Sequence, residues 1–139
     1  MTDIHTISLP ADTHHLAELR SFINAAGMDH HIDSSVLHYL ELAADEVVTN
    51  VIEHSASGGD IFCSCVINSE MHTVICEISW ISDEPFVPEV FPEPEHIRRR
   101  LETREPGGLG VFLIHSLVDQ IEYDYSGGRS IIRLAKKLE

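Results

Sequence analysis

Apolar residues recur at two different spacings along this chain, and the change of spacing predicts where strands give way to helices. Residues 4–9 alternate between apolar and polar and are closed by Pro10, which predicts a short first strand. From Leu16 to Gly27, and again from Val36 to Val51, apolar residues recur every three or four positions, which predicts two amphipathic helices. The residues placed to cap these helices are Asp12 or Thr13 for the first and Asp33 or Ser34 for the second.

Strict alternation returns in the middle of the chain. Residues 61–67 and 74–80 each place an apolar residue at every second position, as a half-buried strand does. The polar segment Asn68-Ser69-Glu70 lies between the two runs. The sequence therefore predicts a β-hairpin here.

The last part of the chain predicts a second hairpin after a long proline-rich segment. Residues 82–107 contain five prolines, so they allow only a short helix, and we expect them to form a lid. A helix is expected over residues 111–117. Two further strands, 121–125 and 132–134, should then pair around Ser126-Gly127-Gly128.

This order of elements predicts an α/β (α+β) two-layer sandwich, in which helices cover one face of a mixed, mostly antiparallel sheet. Residues 1–139 are expected to form a single domain, because a chain of this length buries most of its apolar surface without disulfides or a structural metal. The three cysteines fall in the apolar positions of two strands and contain no C-x-x-C pattern, which favours reduced core thiols.

The charge and hydropathy of the chain argue against some classes of function. With 23 acidic and 9 basic residues the formal net charge is −14, which argues against nucleic acid and favours a protein partner with basic patches. No apolar run approaches the roughly 18 residues of a membrane span. The start Met1-Thr2-Asp3-Ile4-His5 does not resemble a signal peptide, so we expect a cytoplasmic protein with no membrane partner.

The strongest candidate chemistry lies on the second predicted helix. Glu46, Asn50 and His54 are four residues apart, so they share one face of that helix, next to the Val47/Val51 stripe. A carboxylate and a carboxamide one turn apart are suited to hold a hydrated metal ion and a proton acceptor near one phosphate. Polar residues at helical spacing are also common on solvated faces, so the motif alone decides little.

A glycine-rich segment offers the other half of such a site. Gly107, Gly108 and Gly110 surround Leu109 and run directly into a helical apolar pattern. Free backbone N–H groups and the helix dipole favour an anion at such a place. A loop that merely turns into a helix has the same composition.

Together and in this order, the motifs resemble the GHKL ATPase superfamily, and within it the anti-sigma-factor serine kinases of the RsbW type. The resemblance rests on Glu46-x-x-x-Asn50-x-x-x-His54 as the N box and on Gly107-Gly108-Leu109-Gly110 with Leu117-Val118-Asp119 as the second glycine box. The segment Glu84-Pro85-Phe86-Val87-Pro88 is a weaker match to the sequence box that lies on the adenine side of the nucleotide in this family. The likeness runs from about residue 4 to the C-terminus and implies the Bergerat fold.

The resemblance also implies an activity and its residues. Such proteins bind ATP with Mg²⁺, phosphorylate a STAS-type anti-anti-sigma protein on serine or threonine, and otherwise sequester a sigma factor. Glu46 would then be the catalytic base and Asn50 the magnesium ligand. Arg104 would help the glycine box to cradle the phosphates.

The adenine-side box departs from the family pattern, in which an aspartate accepts a hydrogen bond from the adenine amine. Counting back from Phe86 without a gap puts Ile81 in that position, whereas strand parity puts Ser82 there, and only the adjacent Asp83 offers a carboxylate. Asp83 is therefore the nucleotide-binding candidate here. Two hypotheses stay open: an active kinase, or a binding module that keeps the fold while catalysis has weakened.

The first strand carries a prediction about assembly. It is short and terminal, so we expect it at an edge of the sheet, where exposed strands recruit partners. The resemblance implies a homodimer formed through this part of the chain, about residues 4–9.

Overall fold

The computed structural model of the chain describes residues 2–54, 59–84 and 117–138. The predicted lid beyond Glu84 and residues 111–116 of the helix predicted over residues 111–117 lie outside these residues.

The described strands form one five-stranded sheet, in the order β1-β2-β3-β5-β4, and all four pairings are antiparallel. The strands are β1 (Thr2–Pro10), β2 (Asp60–Asn68), β3 (Thr73–Ile81), β4 (Gln120–Ser126) and β5 (Arg129–Lys137). Two helices, α1 (Leu16–Met28) and α2 (Ser34–His54), pack against each other, and α2 contacts β3 and β5. The predicted two-layer sandwich is confirmed.

Asp33 caps α2 directly, whereas Asp12 caps a 3₁₀ turn before α1, and His15 at the start of α1 makes no side-chain capping bond. The carboxylate of Asp12 accepts the N–H of His14 at 2.9 Å and opens a single 3₁₀ turn, Thr13–His15, which leads into α1. The carboxylate of Asp33 accepts both the N–H and the hydroxyl of Ser35, each at 2.9 Å, at the start of α2. Each cap satisfies N–H groups that the first helical turn leaves unpaired.

The two hairpins differ in how their turns are built. Gly127 and Gly128 both have positive φ, +60° and +79°, so β4 and β5 join through the two-residue turn that glycine favours. The β2–β3 connection has four residues, 69–72, one more than the predicted Asn68-Ser69-Glu70, and His72 at its end also has a positive φ of 51°. In that turn the side chain of Asn68 accepts the N–H groups of Glu70 and Met71, both at 3.1 Å.

The core lies between the helices and the inner face of the sheet. Alternate residues of β2 and β3 are buried, as the sequence pattern predicts. The largest fully buried side chains are Trp80, Leu19, Ile23, Leu40, Ile61, Ile78, Ile132 and Leu134. All three cysteines are buried and free, and burial raises the pKa of Cys63 to about 12, so they are core thiols.

The opposite face of the sheet carries both polar and apolar side chains, among them the exposed Phe62 and Ile81. Arg133 lies 3.0 Å from the carboxylate of Glu77, and the guanidinium of Arg129 lies 4.8 Å above the ring of Phe62. Helices therefore cover one face only in the described part of the chain. Neither described helix is long and apolar enough to cross a membrane.

The close approach of α1 to α2 depends on Gly27. A Cβ at this position would lie 2.1 Å from Cδ2 and 2.8 Å from Cγ of Leu37, a side chain that is only 2 % exposed. Overpacking costs about 1–3 kcal/mol, more than the gain of about 1 kcal/mol that alanine brings over glycine inside a helix. We expect Gly27→Ala to lower the free energy of unfolding by up to about 2 kcal/mol, as measured by urea denaturation.

The matched control is Gly59→Ala, because a Cβ at Gly59 meets no atom within 4 Å. It should leave the free energy of unfolding nearly unchanged. If Gly27→Ala is as stable as the wild type, the two helices do not pack as closely as described.

Candidate nucleotide-binding site

Glu46 and Asn50 lie one turn apart on α2, at the border between its buried and its exposed side. Both residues are half-buried, whereas Val47 and Val51 beside them are 3 % and 0 % exposed. The predicted shared face is confirmed for these two residues. The side chain of His54, at the end of α2, lies outside the described part.

The electrostatics of α2 make Glu46 a stronger base than an ordinary glutamate. Burial raises the pKa of Glu46, and the nearby carboxylates of Asp45 and Glu53 raise it further. A carboxylate with a raised pKa accepts a proton more readily at neutral pH. The same crowding of negative charge favours a cation at this place.

Asn50 supplies a ligand that suits magnesium. Among the described residues, none hydrogen-bonds to its carboxamide. Mg²⁺ prefers oxygen ligands, keeps several waters and needs few protein groups when phosphate oxygens complete its shell. One amide oxygen beside the carboxylate of Glu46 fits that requirement.

Asp45, which is next to Glu46 in α2, is directed towards α1. The carboxylate of Asp45 lies 3.3 Å from the guanidinium of Arg20, and the backbone carbonyl of Asp45 accepts the hydroxyl of Thr49 at 2.7 Å. Asp45 therefore raises the pKa of Glu46 through its negative charge.

At the end of β3, the structure distinguishes Ile81 from Ser82, the two positions that the alternative alignments assigned to the family's aspartate. Ile81 ends β3 on the outer face and is 61 % exposed, whereas Ser82 continues the buried side and is only 3 % exposed. Strand parity therefore predicts which residue lies on the helix side of the sheet. Asp83 follows as an exposed residue beyond the strand.

Ser82 belongs to a small buried network that sequence reasoning missed. Its hydroxyl donates to the carbonyl of Glu84 at 2.9 Å and lies 2.7 Å from the hydroxyl of Ser130 in β5. The hydroxyl of Tyr125 donates to the carbonyls of Ser82 and Asp83, at 3.2 and 3.3 Å. The sequence held one signal for Ser130: a serine occupies a position that the apolar–polar alternation of β5 assigns to the buried face.

Five of the predicted nucleotide-binding residues lie outside the described residues, namely Arg104, Gly107, Gly108, Leu109 and Gly110. Asp119, at the end of the predicted glycine box, anchors the start of β4. Its carboxylate accepts the N–H of Lys137 at 2.7 Å, and its own N–H donates to the carbonyl of Ala135 at 2.9 Å.

Comparison with known proteins identifies the fold family. The sequence profile of the histidine kinase-like ATPase domain matches residues 9–136, nearly the whole chain. The chain belongs to the histidine kinase-like ATPase family. Its α2, with Glu46 and Asn50, lies within the matched region of this ATPase domain.

The relatives of this ATPase domain include serine-protein kinases. The serine-protein kinase RsbW of Listeria monocytogenes serotype 4a (strain HCC23) is 24 % identical over 135 residues, which cover 95 % of this chain and 86 % of that protein. The RsbW of Listeria innocua serovar 6a shows the same identity and coverage. The chain is thus similar to RsbW kinases over almost its whole length.

Solved structures agree on the fold. The crystal structure of the RsbU and RsbW domains of Rv1364c from Mycobacterium tuberculosis matches with a TM-score of 0.67 at 16 % identity, covering 98 % of this chain and 32 % of that one. A histidine kinase domain from Erythrobacter litoralis matches with a TM-score of 0.53 at 18 % identity, covering 93 % of this chain and 61 % of that one. At these identities the likeness shows the fold of this ATPase domain.

The raised pKa of Glu46 predicts that its ionised carboxylate lowers the free energy of unfolding at neutral pH. Above the folded-state pKa the native protein carries an ionised, partly buried carboxylate, and below the ordinary value of 4.5 both states are protonated. Glu46→Gln keeps the shape without the charge. Its free energy of unfolding should therefore exceed that of the wild type at pH 7, with the difference shrinking towards pH 4, in urea denaturation series.

Asp33 provides a contrast of opposite sign. The backbone N–H of Ser35 holds the pKa of Asp33 below its usual value, so Asp33→Ala should be less stable than the wild type at pH 7, with the loss diminishing on acidification. If Glu46→Gln is instead less stable than the wild type at pH 7, burial does not disfavour the ionised Glu46.

Proposed function

We propose that this protein is an ATP-dependent serine/threonine protein kinase of the anti-sigma-factor type. In this proposal it phosphorylates a STAS-type anti-anti-sigma protein and otherwise sequesters a sigma factor. The observation that carries the proposal is the placement of Glu46 beside Asn50 on α2, in a chain matched to an ATPase family over residues 9–136. The similarity to RsbW serine-protein kinases supports the choice of reaction.

Each group has one task in phosphoryl transfer. This reaction asks the protein mainly to position its reactants and to stabilise spreading negative charge. Glu46 accepts the proton of the attacking serine or threonine hydroxyl, and its raised pKa suits that role. Asn50 holds Mg²⁺, which neutralises phosphate charge when bound. Arg104 and the N–H groups of Gly107–Gly110 cradle the phosphates.

The adenine amine needs an acceptor, and the chain offers two. The carboxylate of Asp83 is exposed at the end of β3, whereas the hydroxyl of Ser82 is buried and already bonded to Ser130 and Glu84. An unpaired donor in a partly buried pocket costs about 1–3 kcal/mol, or one to two decades of affinity. We therefore propose that Asp83 accepts the amine, and that ATP binds more weakly than it would to a preformed carboxylate.

The surface charge supports protein partners over nucleic acid. A net charge of −14 repels phosphate backbones and attracts basic protein surfaces. A sigma factor that binds here should present basic residues, and the antagonist should compete for the same chain.

The first strand supports a homodimer. β1 lies at one edge of the sheet, as predicted, and β4 at the other. Along β4, Glu122 and Asp124 are exposed acidic residues that would repel a second copy, whereas β1 presents Ile4, which is 64 % exposed. Antiparallel pairing of two β1 strands satisfies a two-fold axis, so we propose this edge as the dimer interface.

The kinase proposal is tested by replacing the base. Glu46→Gln should lower phosphate transfer from radiolabelled ATP to a purified STAS-domain protein that the wild type phosphorylates by about 100-fold or more, because the base is lost while the shape stays. Nucleotide binding should be retained. The matched control is Glu41→Gln, since Glu41 is also a half-buried carboxyl of α2 with a raised pKa, and it should transfer at the wild-type rate.

Two results would contradict the proposal in different ways. Transfer by Glu46→Gln at the wild-type rate would remove Glu46 as the base. A wild-type protein that binds its partners but transfers no phosphate would be a regulatory binding module, the function that the altered adenine side favours.

The dimer proposal is tested at Ile4. A lysine there places a charge on the interface without entering the core, so Ile4→Lys should sediment as a monomer at micromolar concentration, where the wild type sediments as a dimer. Met71→Lys is the control, because Met71 is 71 % exposed in the β2–β3 turn, away from the edge. A monomeric wild type at this concentration refutes the β1 dimer.

A further inference from the structure

Two histidines that are 25 residues apart in sequence meet at the edge of the fold. The Nε2 atoms of His5, in β1, and His30, in the turn after α1, lie 3.3 Å apart, and the two rings are nearly perpendicular. Asp3 lies on the far side of His30, with its carboxylate 3.4 Å from Nδ1. The catalytic and nucleotide-binding roles proposed above use none of these residues, although His5 and Asp3 belong to the β1 edge proposed as the dimer interface.

The spacing of the two nitrogen atoms fits a shared metal ion. Two imidazole nitrogens bound to one tetrahedral Zn²⁺ at about 2.0–2.1 Å lie about 3.3–3.4 Å apart. The observed 3.3 Å is within the range for two ligands of one ion. In the metal-free protein the same distance admits a hydrogen bond between the two Nε2 atoms, which keeps the pair together.

Asp3 favours the tautomer of His30 that a metal requires. A carboxylate beside Nδ1 favours the proton on that nitrogen, which leaves the lone pair of Nε2 directed at His5. Metal-bound histidines commonly have a carboxylate in this position, where it orients the ring and strengthens the ligand. When a cation binds, the proton on Nε2 of His5 moves to Nδ1 of the same ring, so no net proton is released.

The turn that carries His30 is held by backbone hydrogen bonds. The N–H of His30 and the N–H of Ile32 both donate to the carbonyl of Gly27, at 3.0 and 3.1 Å, and His31 has a positive φ of 57°. Ile32 also packs against the core. Because β1 fixes His5 and this turn fixes His30, the two ligands are brought together before any ion binds.

We propose that His5 and His30 bind a divalent transition-metal cation, with Zn²⁺ the physiological choice, and that Asp3 positions His30 from behind. No third histidine, cysteine or acidic side chain joins them in the part of the chain that the structure describes, so water completes the coordination. Imidazole selects such cations over Mg²⁺, which prefers oxygen. The site thus differs from the one proposed at Asn50, and a bound ion would link the edge strand to the helical layer.

The test is a calorimetric titration of the metal-free full-length protein with Zn²⁺, in excess Mg²⁺ and without nucleotide. The wild type should bind one equivalent per chain with micromolar affinity. His5→Gln and His30→Gln should each weaken this binding at least about tenfold, and Asp3→Asn by about tenfold. His14→Gln is the matched control, because His14 lies 2.6 Å from the carboxylate of Asp12 but is 86 % exposed, and it should bind as the wild type does.

A second readout does not depend on the variants. In the wild type, one equivalent of Zn²⁺ should shift the imidazole nitrogen NMR signals of His5 and His30 and leave those of His14 and His15 in place. The proposal is overturned if the wild type shows no saturable binding, if both glutamine variants bind like the wild type, or if other histidines shift first. Because Mg²⁺ is present throughout and no nucleotide is used, failure here leaves the kinase proposal standing.

Discussion

The arrangement depends on one constraint, namely that α2 must bury its apolar side against the sheet while it carries two polar side chains at the border. Burying a valine side chain stabilises a fold by roughly 1.5–3 kcal/mol, and Val47 and Val51 are both almost fully buried. The same packing removes water from Glu46 and Asn50 beside them. The packing of α2 therefore stabilises the fold and also partly buries Glu46. This burial raises the pKa of Glu46.

Local patterns predicted most of the fold, because most of it is set by local chemistry. The period of apolar residues located α2 and the inner sides of β2 and β3, and Gly127-Gly128 marked a turn whose positive φ values favour glycine. The end of the β2–β3 turn was predicted too early, because its positive φ falls on His72, and histidine is a much weaker signal for this conformation than glycine.

The candidate site was less predictable, because part of it depends on which strands are neighbours. Glu46 and Asn50 are related by helix geometry, so their shared face followed from spacing alone. The contact between Ser82 and Ser130 spans 48 residues and exists because β3 pairs with β5, which no local pattern reveals. The meeting of His5 and His30 has the same origin, a strand and a turn brought together by packing.

The two functions considered for this chain differ most at the end of β3. A serine hydroxyl occupies the buried position there, and a carboxylate is found only one residue later, at the surface. If Asp83 accepts a hydrogen bond from the adenine amine, the proposed kinase keeps a modest nucleotide affinity. If it does not, the lost hydrogen bond alone lowers affinity by one to two decades, and the fold is left to serve as a binding surface.

The most direct test of the central claim, that the border of α2 forms a magnesium–nucleotide site, is a calorimetric titration of the wild-type chain and of Asn50→Ala with ATP, with and without Mg²⁺. The wild type should bind ATP more tightly when Mg²⁺ is present, and Asn50→Ala should lose most of that difference while it keeps the metal-independent binding. No detectable binding by the wild type at millimolar ATP, or the same Mg²⁺ dependence in both proteins, would contradict the account.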